Sequence, residues 1–440
     1  MHVEPWGRTP IVEHADVKRP AWLRDCADVW GDDMTTLAIG NLRSYGDSCL
    51  NDNARIVDMT QCSRFIAFDK ERGVIRCEAG VLLSDILNLI VPYNWFLPVT
   101  PGTKFVTVGG AVANDIHGKN HHCKGTFGCH VLRFELLRSD GSRTECSPGE
   151  NAELFAATIG GLGLTGIVLW VEFSLTRIAS PFITQTNIRF GNMDDYMLHS
   201  RTSDSKYDYV VSWIDCASSG ASLGRGIFMG GNFADPLANT LPAVPAPRSI
   251  PFPIEAPSWM LNTLSIKAFN MLYYGKQTKP VSHHVVHYEP FFYPLDSILH
   301  WNKMYGKNGF FQYQFVVPFD DAASVLRDVL KRTARTGNAS FLAVLKNFGA
   351  IQSPGMLSFP MEGVTLAMDF KNEGGKTLAF MTELDAIIRS AGGRLYPAKD
   401  ARMTAEDFQR AYPNWSAFAA FIDPQCSSTF WRRVSRSAMA

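Results

Sequence analysis

Eight consecutive residues, Asp115-Ile116-His117-Gly118-Lys119-Asn120-His121-His122, carry three histidines and a lysine close after Gly109-Gly110-Ala111. Such a density of titratable side chains is not surface filler, and three chemistries compete for it. A metal site would draw on His117, His121, His122, Cys123, Cys129 and His130. Their H-x3-H-H-C-x5-C-H spacing matches no common metal site, however, and Lys119 would oppose a cation. A buried structural hydrogen-bond cluster is the second reading, and a redox or sugar-binding site is the third. Gln312 and Gln314 flank Tyr313 on an apolar run. Strand alternation sends both amides to one face, where they can bond a ligand or pair across strands. Tyr396-Pro397-Ala398-Lys399-Asp400 sets a lysine beside a rigid turn. In a closed site that lysine could stabilise negative charge; on the surface it would simply be solvated.

Two glycine-bounded stretches answer a different need. Holding a pyrophosphate takes several converging backbone N–H donors, and glycine lets the chain fold into such a nest. Gly40-Asn41-Leu42-Arg43-Ser44-Tyr45-Gly46-Asp47 can do this, with Arg43 adding charge. Pro101-Gly102-Thr103 and Thr107-Val108-Gly109-Gly110 offer a second wall, running on to Ala113 and Asn114. No G-x-G-x-x-G opens a helix after the first strand, which argues against a Rossmann site. Each loop taken alone could equally be an ordinary tight turn.

These residues need elements to position them. Thr35–Ile39 and Ala54–Met59 read as strands flanking the first loop, and Phe65–Ala79 as a hairpin turning at Arg72-Gly73. Ser84 reads as the N-cap of a helix to Ile90. Val131–Leu137 and Gly166–Leu175 are expected strands, and Asn151–Ala157 a helix. From about residue 179 the texture shifts to longer β-like, aromatic-rich runs. Phe310–Pro318 and Gly363–Phe370 are expected strands; Asp320–Arg335 and Lys376–Ala391 are expected helices. Asp235–Trp259 carries Pro236, Pro242, Pro245, Pro247, Pro251, Pro253 and Pro257, which predicts a lid or linker without regular structure.

Composition narrows the function classes. At 440 residues and 46% hydrophobic, the chain suits two or three domains without disulfides or metal. Lys+Arg and Asp+Glu both number 42, so no global field draws nucleic acid. Nine cysteines with no C-x-x-C pair, and an opening Met1-His2-Val3-Glu4-Pro5 without an apolar core, predict a reducing cytoplasm. Leu154–Val171 is uncharged and long enough to span a bilayer, but its four glycines predict a helix end, a turn and a core strand.

Together these motifs resemble the decaprenylphosphoryl-ribose oxidases, within the vanillyl-alcohol-oxidase type of flavoenzymes. The carriers are Arg43–Asp47, Pro101–Thr103, Thr107–Gly110, Asp115–His122, Glu153-Leu154-Phe155 with Gly163–Ile167, Trp301-Asn302, Gln312–Phe315 and Leu395–Asp400. They follow in order along nearly the whole chain. The resemblance implies an α+β, two-domain PCMH-type FAD-binding fold whose substrate domain is built on an antiparallel sheet. The FAD domain would use residues 1–178 with 394–440 returning to it, and the substrate domain 179–393. Cofactor contacts would come from Gly40 through Gly46, from Gly102, Thr103, Thr107, Val108, Gly109, Gly110, Ala113 and Asn114, and from Ile116, His117, Gly118, Ile167 and Tyr396. Lys399 would stabilise reduced flavin or a developing alkoxide. His117 and Lys119 would line the flavin and orient the sugar or its phosphate, and Gln314 would bond sugar or flavin edge.

Two departures from relatives matter. Arg43 stands where many carry a flavin-tethering histidine, so FAD should be non-covalent. Ala367 stands where mycobacterial members carry a cysteine. The implied reaction oxidises the 2′-hydroxyl of a polyprenylphosphoryl ribose, with a short-chain reductase completing epimerisation to arabinose. A lipid-linked substrate also implies peripheral contact at the inner face of the plasma membrane. Rival readings are an alditol or aldonolactone oxidase on the same fold, a metal enzyme built on the histidines, and a non-catalytic binder.

Overall fold

The computed structural model describes residues 3–436 except 32, 204, 238–240, 246–248, 258–259 and 338–339; Pro247 and Trp259 of the proline-rich segment therefore lie outside the described residues. The fold is α+β. Three parallel strands, Asp16–Lys18, Arg55–Asp58 and Thr36–Ile39, pair in that order. A five-stranded antiparallel sheet follows, ordered Phe65–Asp69, Val74–Glu78, Ile167–Ser174, Val131–Leu137 and Arg143–Cys146. Its first hairpin turns at Gly73, where φ is +65°.

An eight-stranded antiparallel sheet occupies the centre of the chain. Its order is Val281–His287, Phe182–Phe190, Gly226–Phe233, Tyr209–Ile214, Ala343–Phe348, Gly363–Lys371, Phe310–Val317 and Arg394–Leu395. Helices Phe319–Thr336 and Gly375–Ser390 pack Leu326, Val329, Leu330, Phe380 and Leu384 onto one face. Phe311, Tyr313 and Phe315 meet them there, and the Tyr313 hydroxyl donates to Asp385 at 2.9 Å. Strand alternation leaves Gln312 and Gln314 on the opposite face.

The chain's end returns to its beginning. Thr36 bridges to Cys426 in parallel, and Thr429 N–H donates to the Leu50 carbonyl at 2.8 Å. Arg433, on the last helix, forks onto Asp47 at 2.7 and 3.0 Å and reaches Asp400 at 3.0 Å. A bidentate guanidinium–carboxylate pair fixes orientation as well as distance.

Two local expectations are corrected. Ser84 is not the N-cap: the helix runs Leu83–Ile90, with Leu82 at the cap position and no side-chain cap. The first helical N–H groups are satisfied instead by carbonyls of Val106 and Lys104, at 3.0 and 2.9 Å. The proline-rich segment is not wholly irregular either, since Ile250–Pro251 pairs in parallel with Ile298–Leu299. The donors are Ile250 and Phe252, so the missing N–H of Pro251 falls where the ladder asks for none. Leu154–Val171 divides into the end of a helix closing at Thr158, a turn with Gly160, Gly163 and Gly166 at positive φ, and the strand from Ile167. Among the described residues no helix is long and apolar enough to cross a membrane.

Candidate active site

Between the glycine loops and the amide-bearing sheet face lies a cavity of about 430 Å³. Its walls come from four distant stretches. Residues 40–45, 102–103, 107, 109–110, 113–114 and 116–119 line one side; Gln314, Tyr396 and Lys399 line the other. Three expected contacts lie off its lining. Val108 is fully buried and donates its N–H to Val81. Ile167 packs in the core with Leu137 and Leu169, and Gly46 presses against the Asp400 carbonyl.

The loop geometry suits a dinucleotide. Gly40 faces Thr107 so closely that a Cβ there would meet its Oγ1 at 2.0 Å, and a Cβ on Gly109 would meet the Ala79 Cβ at 2.9 Å. Only glycine lets these walls close. Leu42 adopts left-handed φ, +51°, as nest-forming backbone does. Within the described protein the N–H groups of residues 41–44 bond no backbone carbonyl, which leaves donors for a ligand. The buried Arg43 Nε and His117 Nδ1 likewise have no protein partner. Arg43 lies over Trp6 at 4.1 Å, its charge faced by Asp296.

The lining as a whole is cationic. Four lining residues are Lys or Arg (Arg43, Lys119, Lys346 and Lys399) against the single carboxylate of Asp296. That excess suits a ligand carrying phosphates. Lys399 projects its ammonium 3.7 Å from the Tyr45 ring centroid. Its turn is fastened by Tyr45 N–H to the Ala398 carbonyl, 2.9 Å, and Tyr396 N–H to the Gln314 carbonyl, 3.0 Å. Burial drives the Lys399 pKa down to about 7, with Asp369 opposing the shift and Lys346 reinforcing it. Asp369 is itself raised to about 7 by burial, and accepts from Gln312 Nε2 at 2.7 Å and the Tyr305 hydroxyl at 3.3 Å.

His117 stays neutral, because burial and then the Lys346 charge hold its pKa well below 6.5. The Gln314 amide nitrogen sits 3.0 Å from His117 Nε2, so Nδ1 carries the ring proton. Asp115 holds this loop from behind, accepting from Gly128 N–H at 2.8 Å and Ser358 Oγ at 2.5 Å. The other candidate histidine ligands turn elsewhere: His121 Nδ1 accepts from the Gly349 N–H at 3.2 Å, and His122 Nε2 meets the Tyr207 carbonyl and His130 Nε2 the Lys124 carbonyl, both at 2.9 Å. Among the described residues no three His, Cys, Asp or Glu side chains converge as a metal site. Lys119 lines the cavity with its ammonium on the Phe291 carbonyl, its pKa pushed to about 7 by burial.

Lys346 was not anticipated. It is half-buried, donates to the Gly118 carbonyl at 2.9 Å, and has its pKa lowered to about 7 by desolvation. The available signal was a lysine alternating with Val344 on a mostly apolar strand, and Val344 also lines the cavity. Trp6 and Asp296 had no comparable signal.

Comparison with known proteins agrees with this geometry. The FAD binding domain model matches residues 25–147. Decaprenylphosphoryl-beta-D-ribose oxidase of Mycolicibacterium smegmatis is 37% identical over 400 residues, spanning 88% of this chain and 86% of that one. A Streptomyces coelicolor protein named only as an uncharacterized protein in the mprA 5′ region is 31% identical, spanning 81% of this chain and 99% of its own. L-gulonolactone oxidase of Mus musculus is 30% identical over 151 residues, 32% of this chain and 33% of that protein.

Proposed function

The chain belongs to the PCMH-type FAD-linked oxidases that include decaprenylphosphoryl-β-D-ribose oxidase and is an FAD-dependent oxidoreductase; we propose that it oxidises the 2′-hydroxyl of a polyprenylphosphoryl-β-D-ribose to the 2′-ketone. The observation carrying this reading is the cavity where the glycine loops meet Lys399, Lys346 and the Gln312–Gln314 face. The two-domain division at 178/179 is supported by the eight-stranded sheet, which begins at Phe182, and the return of 394–440 by the pairing of Cys426 with Thr36, although Arg394–Leu395 still pairs with Phe310–Val317 in the substrate-domain sheet.

A secondary alcohol becomes a ketone by losing a hydride from carbon and a proton from oxygen. FAD, held by the loops at 40–45 and 102–118, supplies the two-electron acceptor. The hydroxyl proton passes to solvent, and this chain's own residues supply charge and orientation. Lys399, charged below about pH 7, offsets the negative charge that builds up in the closed site. The His117 Nδ1–H and the Gln314 amide orient sugar oxygens. Lys346 and Lys119 supply further positive charge toward the sugar phosphate. Ala367 puts only a methyl group on the wall.

A short-chain reductase would consume the ketone. The test is anaerobic mixing of holoenzyme with polyprenylphosphoryl ribose, for which full bleaching of the flavin band is expected. Bleaching by free alditols or aldonolactones alone would replace this substrate with the soluble-sugar alternative. Because Arg43 cannot form the histidyl tether, acid precipitation should release all the flavin into the supernatant; flavin remaining with the pellet would refute non-covalent binding.

A further inference from the structure

Twenty large hydrophobic side chains are exposed among the described residues, and ten of them fall between Leu237 and Ile298. They concentrate on the helix Thr263–Lys276, where Leu264 is 79% exposed, Leu272 73%, Met271 60% and Phe269 45%. Scattered exposed apolar residues are ordinary; a grouped set marks an interaction surface.

The helix cannot roll to hide them. Asn270, fully buried, donates to Asp215 Oδ1 at 2.9 Å and to the Ser340 carbonyl at 3.2 Å. The Tyr274 hydroxyl donates to the Phe190 carbonyl at 3.1 Å. Rotation would strand these polar groups. The N-terminus is fixed as well, since the Asn262 side chain accepts from the Leu264 and Ser265 N–H groups. Charge on the helix is one-signed: Lys267 and Lys276 are exposed, and no Asp or Glu lies between residues 263 and 276. The surface is also continuous with the cavity. Tyr273 lines the cavity and packs on Trp213 at 4.6 Å. Ile298, 36% exposed, lines it from the short strand whose partner Ile250 is 72% exposed.

We propose that this helix docks on an anionic lipid bilayer. Leu264, Phe269, Met271 and Leu272 enter the boundary of the acyl chains, Lys267 and Lys276 meet anionic headgroups, and the cavity opens beside the membrane. Lys267 and Lys276 are the charged residues of this helix, so its exposed apolar side chains suit an anionic bilayer, whereas a protein partner's interface carries a polar rim. Docking would let a polyprenyl tail stay in lipid while its sugar enters the cavity; that last step, unlike the docking, rests on the substrate proposed above.

The test is co-sedimentation of full-length holoenzyme with vesicles. Binding is expected to phosphatidylcholine vesicles containing phosphatidylglycerol, several-fold weaker binding to phosphatidylcholine alone, and a decline with salt. In a Leu264→Gln/Met271→Gln/Leu272→Gln variant, partition should fall at least tenfold. Turnover of a short-chain soluble analogue should stay within twofold, because these side chains already face water. Absence of binding by the parent protein, or unchanged binding by the variant, overturns the proposal. So does a variant whose one effect is to dissociate a dimer in size-exclusion chromatography. If vesicle binding and its loss hold but no lipid-linked ribose reduces the flavin of either protein, the substrate assignment fails while the docking surface stands.

Discussion

Lys399→Met is expected to retain bound flavin while slowing flavin bleaching by the sugar about 10²–10³-fold, the usual effect of removing a well-placed charge from a closed site. The methylene stem still fills the wall beside Tyr45, so the change removes charge and little packing. The pH dependence separates this role from a structural one. A lysine is charged below its pKa, and burial brings that of Lys399 to about 7. The parent rate should therefore hold at acid pH and fall towards tenfold per unit above about 7, while the variant loses that limb. A rate that climbs through the same range would make Lys399 the proton acceptor instead. Stopped-flow bleaching from pH 6 to 9 reads the difference. Near-normal bleaching in the variant would remove Lys399 from the mechanism.

Gly46→Ala should be the most damaging single methyl group in the first loop. The backbone at Gly46 has φ −117°, which any residue adopts, so the obstacle is space alone. The added Cβ would stand 1.7 Å from the Asp400 carbonyl oxygen and 2.4 Å from its carbon, and backbone on both sides cannot yield as a flexible side chain would. Overpacking of this kind costs about 1–3 kcal/mol or more. Here it also drives Tyr45 away from Lys399. The expected outcome is a lowered unfolding midpoint with early flavin release, and turnover reduced more than tenfold. Gly102→Ala is the informative contrast: nothing in the protein lies within 4 Å of its Cβ, so any lost flavin affinity there reports on the ligand. Wild-type behaviour of Gly46→Ala would mean that the two segments need not touch.

The residues most legible in the sequence were those whose role follows from local pattern. Alternation separated Gln312 and Gln314 from Tyr313, and the structure keeps Tyr313 in the core while both amides face the cavity side. The hairpin at Gly73 and the strand after Gly166 followed from turn chemistry. What stayed hidden depends on long-range neighbours. Lys346 reaches the cavity only because its strand lies between Tyr209–Ile214 and Gly363–Lys371, an order that no local window contains. Ser84 resembled a cap because nothing nearby in sequence announces that residues 104–106 satisfy the helix start. The Ile250–Pro251 pairing was obscured for the same reason: its partner begins at Ile298.

Arg433 grips both Asp47 and Asp400, so the first glycine loop and the distant lysine turn share one clasp. A chain truncated before Arg433 lacks that clasp, however well its earlier strands have formed. Such a product would keep its sheets around an unfastened reaction chamber.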